Sequence, residues 1–489
     1  MADGHRPQRP QARSESTDRM STQTIAQQLA AWVAGLDSGQ VPRPVRAIAR
    51  ACLVDTIGVA VGGANEPVSR LVRDHVVATY AQGASTVLGA AGGFSAPGAA
   101  LANATAAHAL DFDDNCYAGV VHGSAVVAPA VLALCETAGA SGADYVTAFI
   151  AGVEVEYALG AALSQSIYDK GWWTTGVLGA IGAAAGAAKA LCLTAEQTAN
   201  AIAAAAAGTG GMRACLGTDA KPILAGRAAE IGVTAAVLAA RGATGPLSVF
   251  EDPRGLAGLF NGDRFDGSAV TTLGASWRLQ SPGIDVKKYP LCLSGHAAAD
   301  GVLDIMREHR LAETDVASVT CTVPPIVGAN LTYAVPSTRQ QAQFSLPFAA
   351  ACMMVFGDIT LDHLQAATLA DADLHRAMTK VRMVVAANWH DCIPGGAAAS
   401  GPEAALVSIA TVDGRKIERF SGWARGTAAR PLTAAELDAK FMACAGRALP
   451  ARDAGTLLAA VKEVEALTDV WEIFRDLAQK YVVDRHQRS

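Results

Sequence analysis

Residues 181–191 read IGAAAGAAKAL and residues 199–211 read ANAIAAAAAGTGG, so both stretches consist almost entirely of Ala and Gly. Ala is the strongest helix former, but these stretches lack the polar and apolar faces of a surface helix. Their small side chains suit central helices whose backbones approach one another closely. The two stretches therefore predict a helical body packed through small residues.

The sequence on either side continues this helical pattern from residue 22 to about residue 278. Apolar residues recur there at the spacing of one helix face, for example at Ile25, Leu29 and Val33. Turn signals such as GATGP at 242–246 punctuate the end of the region. We therefore expect this whole part of the chain to be helical.

Beyond residue 283 the pattern changes to strands that alternate with helices. Val alternates with Thr and Cys over 318–323, Val is frequent over 380–386, and segments 404–411 and 416–420 flank Asp413-Gly414, a strong hairpin signal. Helical patterns lie between the strands, at 296–310 and 340–356. This part predicts an α+β domain.

After residue 426 the helical pattern returns over 432–449, 457–467 and 470–482. Thr433 and Glu436 form a capping-box pattern at the start of the first of these helices. A terminal helical piece after an α+β insertion most simply rejoins the helical body. The predicted fold is mainly α: a disordered, polar tail at 1–21, a large all-helical domain built from both chain ends (22–280 and 427–485), and an inserted α+β lid domain (281–426).

Composition excludes several classes of protein. The 489 residues include 39 Lys and Arg against 45 Asp and Glu, a net charge of -6, which argues against a nucleic-acid partner. The apolar stretch 120–135 contains His122 and Pro129, and the stretch 174–191 consists mainly of Ala and Gly. We therefore expect neither stretch to span a membrane, which leaves the chain without a membrane span. Ten scattered Cys residues without a CxxC pair or a secretory leader predict reduced thiols, no metal site and a cytoplasmic protein.

Polar residues interrupt the apolar sequence in three places. The first is HALDFDDN at 108–115, followed by HGS at 122–124. If a helix runs through Asp114, then His108, Asp111 and Asn115 share one face. An imidazole beside a carboxylate makes a general base near neutral pH. The alternative is that the acidic triplet is a solvated helix end.

The second place is MRACLGTDAKP at 212–222, which contains Arg213 and Lys221 between two apolar helices. Lys221 suits a substrate carboxylate or a developing enolate oxygen, or it is a loop lysine in solvent.

The third place, DVKKYPLC at 285–292 with His296, lies at the predicted domain boundary, where small-ligand sites tend to form. Lys287, Tyr289 and His296 there suggest an anion-binding site, and the alternative is a solvated linker. Cys292 has no identified base partner, which disfavours a role as nucleophile.

Six motifs, taken in order, resemble those of the MmgE/PrpD family: DTIG (55–58), HALDFDD (108–114), HGS (122–124), GTDAK (217–221), KKYP (287–290) and AQFS (342–345). The stretch PLTAAELDAKF (431–441) resembles the closing motif of that family, so the resemblance extends from about residue 22 to residue 449. Each motif alone is weak evidence for the family, but seven motifs in the same order are specific to it.

The resemblance implies an all-helical domain with an α+β lid, usually in a homodimer. It also implies chemistry without a cofactor on a small carboxylate in the cleft between the two parts. By motif position Asp111 and His122 match the catalytic Asp and His of the family, and Lys221 and Lys287 match its two active-site lysines. The remaining expected substrate-binding residues are His108, Asn115, Trp173, Thr175, Arg213, Tyr289, His296 and Phe348.

Two positions depart from the family pattern. GWWTT at 171–175 has Trp173 where the family has a second catalytic imidazole, and FSLPF at 344–348 has Phe348 where the family has Tyr. Indole donates one hydrogen bond but does not titrate near neutral pH. The departures predict a more apolar pocket, with either a larger or less charged substrate or loss of catalysis.

The leading hypothesis is a lyase of the dehydratase or decarboxylase type, in which His122 moves a proton at the carbon beside a carboxylate. An epimerase or isomerase of a dicarboxylate is the second reading, although replacement of an imidazole by Trp173 removes one candidate base. A catalytically degenerate carboxylate-binding protein is the third reading.

Overall fold

The computed structural model describes residues 23–395 and 400–474. The predicted tail at 1–21 and most of the predicted last helix, 470–482, lie outside the described residues. The described chain is 58% helical and 9% strand, which confirms the prediction of a mainly α protein with a small sheet domain.

The first part of the chain is a helical body with one small hairpin. Its long helices are Ile25–Gly35, Arg43–Gly63, Pro67–Thr79, Ala96–Ala109, Gly123–Ala138, Gly142–Leu163, Thr174–Ala190, Ala195–Gly208 and Ala220–Ala240. Its short helices are Ser166–Asp169, Leu256–Asn261 and Ser268–Thr271. The hairpin pairs β1 (Gln82–Thr86) with β2 (Gly93–Phe94), so the expectation of an all-helical domain is wrong over this segment. At the irregularity between Gln82 and Ser85 the strands approach so closely that a Cβ on Gly83 or Gly93 would lie within 2.5 Å of a carbonyl oxygen on the other strand.

Helix Thr174–Ala190 occupies the centre of the body. It packs against the helices Gly123–Ala138, Gly142–Leu163, Ala195–Gly208 and Ala220–Ala240. A Cβ placed on Gly186 would lie 2.7 Å from Cγ2 of Val131 and 3.0 Å from the carbonyl oxygen of Ala148. The Ala and Gly content of this stretch therefore allows the close helix packing that the sequence predicts.

The second part of the chain is the lid, which contains a four-stranded sheet. The strands are β3 (Val316–Val323), β4 (Val381–Val385), β5 (Ala405–Thr411) and β6 (Lys416–Ser421), in the spatial order β4-β3-β5-β6. Strands β5 and β6 form the predicted hairpin, with Gly414 at a φ of 88°, and β4 runs parallel to β3. The lid helices are His296–Glu308, Pro325–Asn330, Arg339–Ala342, Leu346–Val355, Ala366–Leu369 and Ala372–Thr379.

The chain returns to the body after the lid. Helices Ala434–Ala445 and Ala451–Lys462 follow, and Thr433 caps the first of them in a capping box with Glu436. Helix Ala434–Ala445 packs against Arg43–Gly63 so closely that a Cβ on Gly62 would lie 2.5 Å from the carbonyl oxygen of Cys444. The two chain ends therefore share one hydrophobic core, whereas the lid has its own core from Tyr289 to Ala424.

Two helices, Gly142–Leu163 and Ala220–Ala240, reach the length and hydropathy of a membrane-spanning segment. The bent pair Arg43–Gly63 and Pro67–Thr79 reaches them when taken together. These helices lie outside the stretches 120–135 and 174–191, whose composition gave the expectation of no membrane span. The apolar window of Gly142–Leu163 is 94% buried inside the protein and that of Ala220–Ala240 is 50% buried, so helix packing accounts for the hydropathy of the first. The absence of a membrane stays a prediction.

Candidate active site

The helix Ala96–Ala109 ends at the start of the first polar cluster. Asp111 has a φ of 50°, in the left-handed region that Asp tolerates better than most residues, and its backbone N–H donates to the carbonyl of His108 at 3.1 Å. The assumption that the helix runs through Asp114 is therefore wrong. The acidic triplet is also not a solvated helix end, because Asp111, Asp113 and Asp114 are all buried.

Asp111 binds two lysines that come from distant parts of the chain. Its Oδ1 lies 2.6 Å from Nζ of Lys221 and 3.0 Å from Nζ of Lys287, which also donates to the Asp111 carbonyl at 2.9 Å. Burial raises the pKa of Asp111, but the two ammonium charges outweigh burial and hold its pKa far below the ordinary value. Burial lowers the pKa of Lys287, and the Asp111 and Asp113 carboxylates more than reverse this. The cluster is therefore ionic and carries one positive charge in excess.

Two imidazoles meet at Asp113. Nδ1 of His108 lies 2.8 Å from Asp113 Oδ2, and Nδ1 of His122 lies 3.2 Å from the same oxygen. On its other side, His108 Nε2 lies 2.7 Å from Nζ of Lys221. Burial, with the Lys221 charge acting in the same direction, lowers the pKa of His108 to about 4, although Asp113 opposes the shift. His108 is therefore neutral at pH 7: it donates to Asp113 and accepts from Lys221.

Besides Asp113, two further contacts orient His122. Its Nδ1 lies 2.7 Å from the carbonyl oxygen of Asp114, and its backbone N–H donates to Oγ1 of Thr175 at 3.1 Å. Because a carbonyl only accepts, Nδ1 carries the proton, and the lone pair of the neutral ring is on Nε2. Among the described residues Nε2 has no hydrogen-bond partner, and His122 lines a cavity. This is the geometry of a general base.

His108, Asp113 and His122 also lie close enough together to hold a metal ion, with one ligand atom from each within 4.8 Å of the others. However, the Asp114 carbonyl already occupies Nδ1 of His122, and the Lys221 ammonium contacts Nε2 of His108. A metal ion bound to these nitrogens would have to displace the Asp114 carbonyl from His122 and lie close to the positive charge of Lys221. The donor set therefore suits a hydrogen-bonded dyad of imidazoles better than a metal centre.

The cavity beside these groups lies between the body and the lid. Its wall includes Asp111, Asn115, Tyr117, Val120, His122, Tyr168, Trp173, Leu216, Lys221, Lys287, Cys292, Leu293, Asn330, Phe344 and Glu403. The structure thus brings all four expected catalytic residues to one cavity. Lys221, which sequence reasoning also allowed to be a solvated loop residue, is 5% exposed in the first turn of helix Ala220–Ala240.

Five of the expected substrate-binding residues lie at or near this cavity. Asn115 and Trp173 line it, and the Trp173 ring lies 5.5 Å from that of His108. His108 and Thr175 lie behind the wall, where they contact Lys221 and His122. Arg213 stands beside the wall, with its guanidinium 4.1 Å above the ring of Tyr168 and a 2.8 Å hydrogen bond to Asn330.

Three other expected substrate-binding residues lie in the core of the lid and do not line the cavity. The Tyr289 hydroxyl donates to Asp300 at 2.7 Å, and the His296 ring packs 5.1 Å from that of Tyr289 with Nε2 on the Leu291 carbonyl. Phe348 is fully buried among apolar side chains. His296 and Phe348 lie on lid helices whose apolar neighbours face the core of the lid, and Tyr289 packs against His296 from the loop before them. In this structure they support the lid rather than contact a ligand.

Sequence reasoning missed several residues of the wall. Asp113 was part of the quoted acidic triplet, yet its position between two imidazoles was not foreseen. Asn330 and Glu403 stand in segments that are otherwise apolar or rich in Gly, and this signal is common. Tyr117 follows the first polar cluster by two residues and Tyr168 lies in the polar stretch 164–170, so the signal that could have found them is their place beside other polar residues.

Comparison with known proteins agrees with this architecture. The sequence models of the MmgE/PrpD N-terminal domain and the MmgE/PrpD C-terminal domain match residues 27–268 and 289–466. Cis-aconitate decarboxylase of Homo sapiens is 27% identical over 462 residues, which are 92% of this chain and 94% of that protein. Cis-aconitate decarboxylase of Mus musculus is 25% identical over 95% of this chain and 96% of its own length. A cis-aconitate decarboxylase-like protein of Aspergillus oryzae is 26% identical over 71% of this chain and 77% of its own length. Because the two domain models together match most of the chain, the protein belongs to the MmgE/PrpD family.

Proposed function

We propose that the protein is a lyase that works without a cofactor and moves a proton at the carbon beside a carboxylate of a small substrate. The observation that carries this proposal is the free Nε2 of His122 beside the Asp111–Lys221–Lys287 cluster in one cavity. A base and a cationic cluster in one buried cavity are the two elements that this chemistry needs.

The chemistry follows from the charges. A carbon-bound proton beside a carboxylate is weakly acidic because its removal places a second negative charge on the carboxylate. The ammonium groups of Lys221 and Lys287 stabilise that charge in a site where little water screens them. Nε2 of His122 accepts the proton, and the imidazolium that results is stabilised by Asp113, 3.2 Å from Nδ1. Asp111 holds both lysines in place.

Two reactions use these groups. In a dehydration, the electron pair left on carbon forms the double bond and expels a neighbouring hydroxyl, which leaves as water with the proton that His122 Nε2 has accepted. In a decarboxylation, the carbon–carbon bond breaks, carbon dioxide departs, and the two lysines stabilise the electron pair left on carbon until it takes a proton that His122 Nε2 has first received from solvent. The names of the relatives favour decarboxylation.

Epimerisation is less well supported. It needs a base on one face of the substrate carbon and an acid on the other. Trp173 stands in the wall next to His108, where the family resemblance places a second imidazole, and indole does not titrate in the neutral range. His108 itself is occupied on both nitrogens by Asp113 and Lys221. A homodimer and a cytoplasmic location are part of the proposal on the strength of the family resemblance and the sequence alone.

The proposal is tested by incubating the protein in deuterated water with hydroxy-, unsaturated and amino-dicarboxylates and with cis-aconitate. Proton exchange is followed by NMR, unsaturated product by ultraviolet absorbance, and carbon dioxide by a coupled assay. A lyase gives exchange together with a conjugated product or carbon dioxide. Exchange without net product points to epimerisation. If a ligand binds but undergoes neither proton exchange nor conversion to product, the protein is a binding protein and the proposed lyase function is wrong.

A further inference from the structure

The cavity wall contains a second acidic residue besides Asp111, on the lid. Glu403 lies just before strand β5 and is 9% exposed, and it lines the cavity together with Tyr117 and Asn330. Unlike Asp111, Glu403 forms no ion pair with any Lys, Arg or His of the described residues. The cavity therefore has a cationic cluster on one wall and an unpaired carboxyl group on another.

Hydrogen bonds hold Glu403 in a single orientation. One oxygen accepts from the Tyr117 hydroxyl of the body and the other from the Ser294 hydroxyl of the lid. Ser294 in turn accepts from Nδ2 of Asn330 at 3.0 Å. The Asn330 amide oxygen accepts from the Tyr168 hydroxyl and from the Arg213 guanidinium, each at 2.8 Å. Since Ser294 is itself held by Asn330, a turn of the carboxyl group would break its bonds to both Tyr117 and Ser294.

Glu403 still has capacity to accept another hydrogen bond. Its two oxygens together accept about four hydrogen bonds, and they receive those of the Tyr117 and Ser294 hydroxyls and the side-chain amide of Asn330. Burial raises the pKa of Glu403, although the two hydroxyl donors and the charge of Lys287 act against burial. A ligand that donates a hydrogen bond to this group therefore stabilises it, whereas a ligand carboxylate at the same place is repelled.

We propose that Glu403 determines specificity by accepting a hydrogen bond from a hydroxyl or amino group of the substrate. The substrate is then a dicarboxylate that carries such a donor, rather than a tricarboxylate. This inference rests on the proposed function, because it assumes that the Lys221 and Lys287 side of the cavity holds a substrate carboxylate.

The alternative is that Glu403 only fastens the lid to the body through Tyr117 and Ser294. The two roles predict different effects of Glu403→Gln, which keeps the size of the side chain and one acceptor oxygen. Loss of a fastener weakens all ligands by a similar factor. Loss of a specificity residue changes the order in which related ligands bind.

The test is isothermal titration calorimetry of the wild-type protein and Glu403→Gln with succinate, malate, aspartate and tricarballylate. Succinate lacks a donor, malate adds a hydroxyl, aspartate adds an ammonium group, and tricarballylate adds a third carboxylate. We expect the wild type to bind malate or aspartate at least about tenfold more tightly than succinate, and tricarballylate most weakly. Whichever of malate and aspartate binds more tightly identifies the donor.

In Glu403→Gln we expect the preference for the donor ligand to shrink to less than about threefold and the affinity for tricarballylate to rise. Glu136→Gln is the matched control, because Glu136 is similarly buried but lies away from the cavity, where it accepts from the backbone N–H of Thr86. The control should keep the wild-type order.

Three results would overturn the inference. The first is an unchanged binding order in Glu403→Gln, and the second is a loss of affinity by a similar factor for all four ligands. The third is a wild-type protein that shows no preference among the four ligands, which includes binding none of them. The proposed function fails separately. If the protein turns over a tricarboxylate and Glu403→Gln leaves the binding order of the four ligands unchanged, the inference about Glu403 is wrong and the lyase function stands. If the four ligands bind in the expected order but no ligand shows proton exchange or product, the lyase function is wrong.

Discussion

Nδ1 of His122 lies 2.7 Å from the backbone carbonyl oxygen of Asp114, and this contact assigns the proton to Nδ1 and the lone pair to Nε2. A backbone carbonyl cannot titrate, so the assignment does not depend on the charge of a neighbouring side chain. In the neutral ring that we propose as the base, Nε2 therefore carries the lone pair, and it has no hydrogen-bond partner among the described residues.

The first prediction concerns this nitrogen. In His122→Asn the side-chain NH₂ can replace Nδ1 as the donor to Asp114, whereas nothing replaces Nε2. We expect kcat to fall by about 10²–10⁴ while the thermal unfolding temperature changes little. The measurement is the turnover assay together with thermal unfolding followed by circular dichroism. More than a tenth of wild-type kcat in His122→Asn would contradict the role of His122.

The second prediction concerns the ion pair between Asp111 and Lys221. Lys221→Met removes one of the two ammonium partners of buried Asp111 and leaves Lys287 as the other, so we expect a loss of about 1–3 kcal/mol in the free energy of unfolding. Asp111→Asn should cost more, about 3–5 kcal/mol, because it leaves two buried ammonium groups without their shared carboxylate. Urea unfolding measures both.

The exposed pair Lys416 and Glu418 provides the control, with 69% and 50% of the side chains exposed. Lys416→Met should cost only a small fraction of the effect of Lys221→Met, because solvent screens that pair. Equal losses in Lys221→Met and Lys416→Met would show that burial of the Asp111 cluster does not matter for stability.

The third prediction concerns Trp173, which is 3% exposed in the cavity wall. Trp173→His restores a group that titrates beside His108 and enlarges the cavity. We expect a gain of turnover on cis-aconitate, measured as release of carbon dioxide. Trp173→Phe is the control, since it also removes the indole but adds no base, and it should give no gain. Equal activity in both variants would assign the effect to cavity size.

The fourth prediction is a pH dependence of stability. Burial raises the pKa of Glu136 to about 7, whereas a free Glu titrates near about 4.3. Between these values the folded state keeps a proton that the unfolded state has lost, so this group makes folding less favourable as the pH rises. Glu136→Gln abolishes that effect. We expect it to gain of the order of 1–3 kcal/mol relative to wild type at pH 8 compared with pH 5, in urea unfolding. An identical difference at both pH values would refute the raised pKa.

The fifth prediction concerns the contact that joins the chain ends. Gly62→Ala places a Cβ 2.5 Å from the carbonyl oxygen of Cys444, so helices Arg43–Gly63 and Ala434–Ala445 must move apart. We expect a loss of about 1–3 kcal/mol in the free energy of unfolding. Gly455→Ala is the control, since no atom lies within 4 Å of its added Cβ, and it should stabilise helix Ala451–Lys462 by about 0.5–1 kcal/mol. Losses of similar size in both variants would contradict the close contact at Gly62.

Local patterns predicted most of the secondary structure. The Ala-rich stretches form the central helices, Thr433 and Glu436 form the capping box, and Asp413-Gly414 makes the hairpin turn. These features depend on neighbours within a few residues, and their energies are visible in the sequence. The hairpin of β1 and β2 was missed because its close backbone approach at Gly83 and Gly93 depends on pairing across a loop.

The sequence also identified the residues whose chemistry is costly to bury. Asp111, Lys221 and Lys287 interrupt apolar segments, and a charge in such a place must be paired or solvated. That argument selected the right side chains but not their partners. It also selected Tyr289 and His296, which find their hydrogen bonds within the lid.

Only the tertiary structure decided the rest of the site. Asp113 faces two imidazoles because the chain turns at Asp111, and Glu403 reaches Tyr117 because the lid packs on the body. Such contacts join residues as many as 286 positions apart, and no local pattern encodes them. By itself the sequence determined which elements form and which side chains need partners, since both follow from local propensity and the cost of desolvation. The folded chain decided which partners they have, since that depends on how distant elements pack.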